Sequence, residues 1–478
     1  MASQNRSIRK NYIFNLLYKI VTVFTPLITA PYIARVFGPT GVGEYSYTYS
    51  IAQYFYSFAM LGISDYGSRT IAQVRDDKNK LNQVFSEIFV MQILTTSITS
   101  LLYVLYIVFF SESKLLSILQ GFQILSVFID FSWLFFGIEN FKLISIRNII
   151  IKLSSVLLII VFVKSIQDIW LYTFIISGAT VISQIFILPA LIKTVKFILP
   201  AKRRVLQHMK PNVILFLPVI SASILNYFDK IMLGGMSTKT ELGYYDSAEK
   251  IIQVPNSMVT ALGVVILPAI TNKVTNKKEN ELKKLHKDTF IFISFAVCAL
   301  SFGISGVAKE FVPIFFGKGY DSVVYLLYIL VPSMVFISLA NVMKNQYLLP
   351  FGKDGIFARC LIMGILINII LNTFLIPSYG AFGASFATTV SEFTILFSEL
   401  ICLHKKIELS EMLKVLCSFI VIGILMFIPI YLIDIENNFI SLSVKIALGA
   451  SIYLSLSAIW CYLFHRDILS MIFKRRKS

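Results

Sequence analysis

The chain has 478 residues, 56% of them hydrophobic and 14% charged, with a mean hydropathy of +0.77 and a formal net charge of +17. That composition excludes an ordinary soluble domain, and apolar runs of about 20 residues, long enough to span a bilayer, recur throughout. Nucleic-acid binding is not what the positive charge implies. The basic residues gather in alternate loops that carry neither a groove-reading motif nor interleaved aromatics.

In chain order, apolar runs fall near 11–36, 44–63, 83–110, 115–137, 145–163, 169–192, 211–234, 245–270, 288–308, 322–349, 357–377, 381–403, 412–433 and 440–464. They predict an all-α polytopic membrane protein of about fourteen transmembrane helices. Lysines and arginines crowd one set of loops, most densely at Lys193–Lys210 and Lys273–Lys287, while the other set holds only Lys114, Lys164, Lys239, Lys309 and Lys318. The positive-inside rule then places both termini in the cytoplasm and requires an even number of spans. The opening MASQNRSIRKNYIF runs into the first span and shows no signal-peptide cleavage site.

The first span aligns Asn11, Asn15, Lys19, Thr22, Pro26 and Thr29 on one helical face, and Pro26 and Pro31 are expected to bend it. On the second span Ser46, Ser50, Gln53 and Ser57 share a face, surrounded by Tyr45, Tyr47, Tyr49, Tyr54 and Tyr56. Those tyrosines read either as an interfacial belt or as platforms for sugar rings. Glu87 and Asp130 lie in spans three and four toward their inner ends, where a structural role competes with an ion path. Lys152, Lys344 and Lys445 are expected to snorkel to an interface.

Spans seven and eight carry charge where a membrane helix ordinarily has none. Ser223, Asn226 and Lys230 share one face of the first, and Asp246, Lys250, Gln253, Ser257 and Thr260 one face of the second, with Glu249 beside them. A mid-membrane charge costs roughly 2.5–3.5 kcal/mol on the lenient scale, so these groups face protein or water. The bland alternative is local pairing, Asp246 with Lys250. Glu392, flanked by Thr388, Thr389 and Ser391, is a candidate for cation coupling.

Residues 12–60 and 211–260 echo one another. Pro26 and Pro218, Tyr32 and Tyr227, Arg35 and Lys230, and Gly43-Glu44-Tyr45 and Gly243-Tyr244-Tyr245 recur in the same order. Parallel repeats of this kind suggest two equivalent halves. The expected organisation is residues 1–195 as an N-terminal lobe of spans one to six, 196–405 as a second lobe of spans seven to twelve opened by a basic linker, and 406–478 as spans thirteen and fourteen with a basic tail.

No motif of covalent chemistry is present: no G-x-S-x-G, Walker A or H-E-x-x-H. Five cysteines in apolar segments form no CxxC pair, and His208, His286, His404 and His465 fall in loops or at span ends. Neither an enzyme nor a cofactor or metal site is expected.

The runs VFGPTGVGEYSYTYSIAQYF (36–55), LGISDYGSRTIAQVR (61–75) and DFSWLFFGIENFKLISIRNIIIK (130–152), with NYFDKIMLGGMSTKTELGYYDSAEKI (226–251), NQYLLPFGKDGIF (345–357) and GAFGASFATTVSE (380–392), resemble blocks of the Wzx-type polysaccharide flippases of the MOP superfamily. The resemblance covers nearly the whole chain. It implies two six-helix lobes around a central cavity, plus two terminal helices, in a bacterial plasma membrane. It also implies a substrate, an undecaprenyl-diphosphate-linked oligosaccharide turned outward for capsule or exopolysaccharide assembly, with polymerase and chain-length regulator proteins as partners. In that setting Lys19, Lys230 and Lys250 would neutralise the diphosphate, Asn15, Asn226, Gln53 and Gln253 would serve sugar hydroxyls, and Glu392, Asp130 or Glu249 would couple an ion. A multidrug extruder, a flippase for peptidoglycan or teichuronic acid precursors, and a membrane polymerase or ligase are the alternatives. The cavity lysines disfavour the first, and outer loops of about a dozen residues without histidine disfavour the last.

Overall fold

The computed structural model describes residues 2–275, 279–404 and 407–464, and among these residues there is no strand. The chain divides into two compact units, Met1–Gly243 and Tyr244–Ser478. Among the described residues nine helices are long and apolar enough to cross a membrane.

The first unit opens with α1 (Ala2–Met60), which carries the first two expected spans as one helix bent at Gly38. Gly38 has φ 62° and ψ 178°, a left-handed excursion that a side chain disfavours, and Pro39 supplies no amide to continue the ladder. The sequence suggests a loop over 37–43, but a single residue makes the turn. Then follow α2 (Ile63–Val74), α3 (Lys78–Phe109), α4 (Lys114–Ser126), α5 (Ser132–Gly137), α6 (Phe141–Phe162), α7 (Ile169–Ile185), α8 (Leu188–Thr194) and α9 (Lys202–Met236). Asp77 caps α3, its carboxylate accepting from the backbone N–H groups of Asn79 and Lys80.

The fourth expected span is broken. A turn at Val127–Ile129 and an extended Asp130 separate α4 from α5, and the freed carbonyls of Val127 and Asp130 both accept from the Gln92 side-chain amide. The indole of Trp133 donates to Gln92 Oε1 at 2.9 Å, so one glutamine of α3 satisfies the whole break. Around it Ile63, Ile71, Phe85, Ile88, Met91 and Phe135 form the main apolar core of this unit.

The echo seen in the sequence has a physical counterpart. α10 (Lys239–Thr275) begins where α1 emerges from its bend, and the Oγ1 atoms of Thr40 and Thr240 lie 2.8 Å apart. A Cβ on Gly43 would stand 1.7 Å from the Lys239 carbonyl oxygen, and one on Gly243 would stand 1.8 Å from that of Pro39. Each glycine thus seats its partner's turn.

In the second unit α11 (Glu279–Phe316), α12 (Asp321–Met343), α13 (Asp354–Leu403), α14 (Leu409–Leu432) and α15 (Asn438–Phe464) complete the fold. α13 carries expected spans eleven and twelve as one helix bent at Gly380, and a π-helical turn, Lys344–Leu348, ends α12. The last two helices both pack on α11. Lys445 does not snorkel: it is 2% exposed and donates to Glu310 Oε1 of α11 at 2.5 Å, where Ser441 also donates at 3.3 Å. The packed neighbours bury this amine away from water, so a carboxylate meets it inside.

Candidate functional site

Each unit carries its own polar interior. In the first, Lys19 and Asn15 belong to the helical stretch of α1, but their side chains lie outside the described residues. Lys230 is buried beside Asp229 on α9, while Asn226, one turn earlier, is exposed. Gln53 is engaged: its amide donates to Gln123 Oε1 at 2.5 Å, and Gln123 in turn donates to Gln120. Ser57 meets Ser223 at 2.8 Å, joining the polar faces of α1 and α9. Tyr45 stacks on Tyr49, and Tyr49 meets Tyr227 edge-on, so a run of rings lies between α1 and α9.

Asp130 is 5% exposed and accepts from the Ser132 amide at 2.9 Å, capping the break before α5. Its field reaches Arg147 on α6. Arg147 is 4% exposed. Its guanidinium donates to Asn148 Oδ1 (3.0 Å), Gln184 Oε1 (2.9 Å), Ser132 Oγ (3.3 Å) and the Ser183 carbonyl (3.5 Å), all neutral oxygens. The helix starts at Phe141, so six residues of α6 carry this charge inward. The signal was present in the sequence: Asn148, Lys152 and Ser155, at i, i+4 and i+7, mark a polar stripe on span five.

Lys152 lies on that stripe and does not snorkel. It is the twelfth of the 22 residues of α6, about 16 Å of helix from either end and beyond the reach of a four-carbon stem. It lines a cavity of about 310 Å³ among α1, α6 and α7, together with Tyr18, Thr25, Asn148, Thr180 and Ser183. The exposed faces of these helices carry Ile150, Leu153, Leu157 and Ile182, which suits hydrocarbon.

Toward the inner end of this unit, Glu87 on α3 is buried and fully engaged. It accepts from Gln83 (2.9 Å) and pairs with His208 Nε2 (2.8 Å), whose other ring nitrogen meets the Tyr66 hydroxyl at 2.5 Å. That arrangement ties α9 to α2 and α3.

In the second unit Lys250 pairs with Asp246 at 2.6 Å, the local i, i+4 arrangement weighed from the sequence. Glu249 is half-buried on the same helix and Gln253 is exposed. Tyr245 meets Thr388 across to α13 at 2.9 Å. Glu392 is half-buried, and one face further along α13 sits a residue the sequence reading missed. Glu399 is 0% exposed and neither of its carboxylate oxygens has a hydrogen-bond partner, with Lys344 and Glu392 the charges that act on it. Its spacing of seven from Glu392 would have revealed it. Of the cations and polar groups named from the sequence, then, Asn15, Lys19, Gln53, Asp130, Asn226 and Lys230 belong to the first unit, and Glu249, Lys250, Gln253 and Glu392 to the second.

Comparison with known proteins follows the same lines. A family model described as "Polysaccharide biosynthesis protein" matches residues 8–274. The chain is 25% identical over 398 residues to the "Putative O-antigen transporter" of Escherichia coli (strain K12), covering 82% of this chain and 95% of that protein. It is 23% identical over 409 residues to the "Capsular polysaccharide biosynthesis protein CapF" of Staphylococcus aureus, covering 81% and 97%. Among solved structures, the inward closed conformation of the lipid II flippase MurJ superposes with a TM-score of 0.75 at 16% identity, covering 96% of this chain and 99% of that one.

Proposed function

Because the chain belongs to the polysaccharide biosynthesis protein family, we propose that it carries undecaprenyl-diphosphate-linked oligosaccharide repeat units across the bacterial plasma membrane, from the cytoplasmic to the outer face, for capsule or a related exopolysaccharide. It is a multi-pass membrane transporter of the flippase type and not an enzyme. The unit delivered outside passes to a polymerase and its chain-length regulator, and both termini of the flippase remain in the cytoplasm.

The observation that carries this reading is Arg147, a buried guanidinium inside a membrane unit whose contacts are all neutral oxygens. A diphosphate cannot enter hydrocarbon without compensating positive charge, and a deep cation without a carboxylate partner is by default a functional candidate. Lys230 adds a second buried amine from α9, and Lys19 and Lys250 are candidates from their helix faces in the sequence. The amides of Asn15, Asn226, Gln53 and Gln253 and the Tyr45–Tyr49–Tyr227 rings suit sugar hydroxyls and ring faces. Alternating access needs a change of shape, and the bends at Gly38 and Gly380 are places for it. Coupling to a cation through Glu392, Asp130 or Glu249 completes the proposal.

The test is a deletion strain scored for lipid-linked repeat units on each face of the membrane. Units are expected to accumulate on the cytoplasmic face and polymer to disappear. Complementation with Arg147→Gln at normal protein level should leave polymer at least tenfold below wild type. Normal polymer in the deletion strain would reject the flippase assignment, and full rescue by Arg147→Gln would reject the role of that residue.

A further inference from the structure

We propose that the strap joining α8 to α9, residues 195–201 with the helix ends on either side, is a docking surface for anionic phospholipid headgroups. This rests on the membrane-transporter reading above for the leaflet it faces, the cytoplasmic one, and on nothing about the cargo.

From Leu188 to Lys210 the chain reads LPALIKTVKFILPAKRRVLQHMK, six lysines and arginines with no aspartate or glutamate. Positive-inside sorting asks only for cations on one side and is indifferent to how they are held. The chain's other dense basic stretch meets part of its charge with acids: Lys273 pairs with Glu281, and Lys287 with Glu411 at 3.4 Å. Beside the strap only Arg204 has such a partner, reaching Glu87 at 3.8 Å. Lys193, Lys196, Lys202 and Arg203 stand exposed, without an ion pair among the described residues.

The strap is also held in place. Residues 195–201 are non-helical, yet the backbone N–H of Lys196 donates to Asn82 Oδ1 at 2.8 Å and that of Ile198 to Ser86 Oγ at 2.9 Å. Asn82 and Ser86 are buried and lie one turn apart on α3. Four residues of helix rise about 6 Å and two of extended chain about 6.6 Å, so the strap runs along α3 in register with it. Val195 is buried in the apolar core at its start, and Phe197 meets Phe89 edge-on.

Its depth follows from α3. The apolar run of that helix begins at residue 83, between the two residues that grip the strap. Lipid-exposed irregular backbone does not occur in hydrocarbon, so a non-helical segment at this level lies at the headgroup boundary, with two of its amides satisfied by α3. Leu199 and Ile192 are the two most exposed large apolar side chains among the described residues. Next to unpaired cations they form the combination that seats a segment on a charged bilayer: apolar groups dip past the headgroups, and basic groups meet phosphate. A zwitterionic headgroup sets its own ammonium beside its phosphate, whereas an anionic one leaves the phosphate free. The cations therefore select for lipid of net negative charge.

The experiment uses the purified full chain in uncharged detergent micelles, with two probes carrying the same fluorophore on an acyl chain, phosphatidylglycerol and phosphatidylcholine. Wild type is compared with a strap variant (Lys193→Gln, Lys196→Gln, Lys202→Gln, Arg203→Gln) and with one that loses equal charge elsewhere (Lys273→Gln, Lys283→Gln, Lys284→Gln, Lys287→Gln). A third variant keeps the strap's charge in another form (Lys193→Arg, Lys196→Arg, Lys202→Arg). Binding of the phosphatidylcholine probe, which these substitutions should not change, reports that each variant is folded. Wild type is expected to prefer phosphatidylglycerol at least tenfold. The strap variant should fall to within threefold of no preference, while the other two stay within threefold of wild type. No preference in wild type, an unchanged preference in the strap variant, or an equal loss in the variant altered elsewhere overturns the proposal. Failure of the deletion strain to accumulate lipid-linked units would sink the transport reading instead, and a lipid preference measured without cargo would stand.

Discussion

At the scale of the residue, what matters is how each buried charge is answered. Lys445 is answered by Glu310, Asp246 by Lys250, and Arg147 by four neutral oxygens. Breaking one partner of a buried pair typically costs about 3–5 kcal/mol, whereas replacing both with apolar groups of similar volume is often neutral. Glu310→Gln is therefore expected to lower the unfolding temperature of the purified protein by several degrees. The double variant Glu310→Leu with Lys445→Met should recover most of the loss, and equal stability of the single and double variants would remove the pair from the structural account. This residue-level logic was only partly legible in the sequence. A lone lysine in an apolar run reads as a snorkelling group because the run does not show which helix lies beside it, and α11 and α15 meet only in three dimensions. Asp246 with Lys250 was legible, since both partners sit on one helix, four residues apart.

At the scale of the element, bends and breaks have identifiable chemical causes. Gly38 followed by Pro39 turns α1 without a loop, and Gln92 repairs the backbone where α4 stops. Apolar runs locate helices well, because length and hydropathy set both. They cannot tell one bent helix from two joined by a loop, since that depends on a single φ. The crossing of α1 and α10 is the most exacting of these features. Gly43→Ala would place its methyl 1.7 Å from the Lys239 carbonyl oxygen, a backbone atom that no rotamer change relieves. Overpacking typically costs about 1–3 kcal/mol, and a clash with backbone belongs at or above the top of that range. Membrane levels of Gly43→Ala should fall severalfold, while Gly178→Ala, whose Cβ meets nothing within 4 Å, should express normally. Normal levels of both would show that the crossing gives way.

At the scale of the whole molecule, fold class followed from the sequence because a bilayer constrains a chain severely: backbone groups must be satisfied within helices, and basic loops stay on one side. Each of the fourteen apolar runs is helical, most as one helix or half of a bent one, while the fourth and the sixth are each divided into two helices. The site was less legible, because a polar stripe shows which face of a helix is unusual but not which neighbour it meets; the burial of Arg147 and Glu399 emerges only once α6 and α13 are packed. Orientation is open to direct measurement. Single cysteines introduced at Lys202 and Glu279, in a background without the five native cysteines, should resist an impermeant maleimide in intact cells and react after permeabilisation. A cysteine at Lys318 should react in both, and the reverse pattern would invert the proposed topology.

The reciprocal seating of Gly43 and Gly243 carries an evolutionary consequence. In most tight contacts a bulkier residue on one side is accommodated by a smaller one opposite, so lineages drift through paired exchanges. Here each methyl would strike main chain, which has nothing to trim, and no second-site change offers an escape. Both positions are locked against drift independently, however far the surrounding sequence diverges.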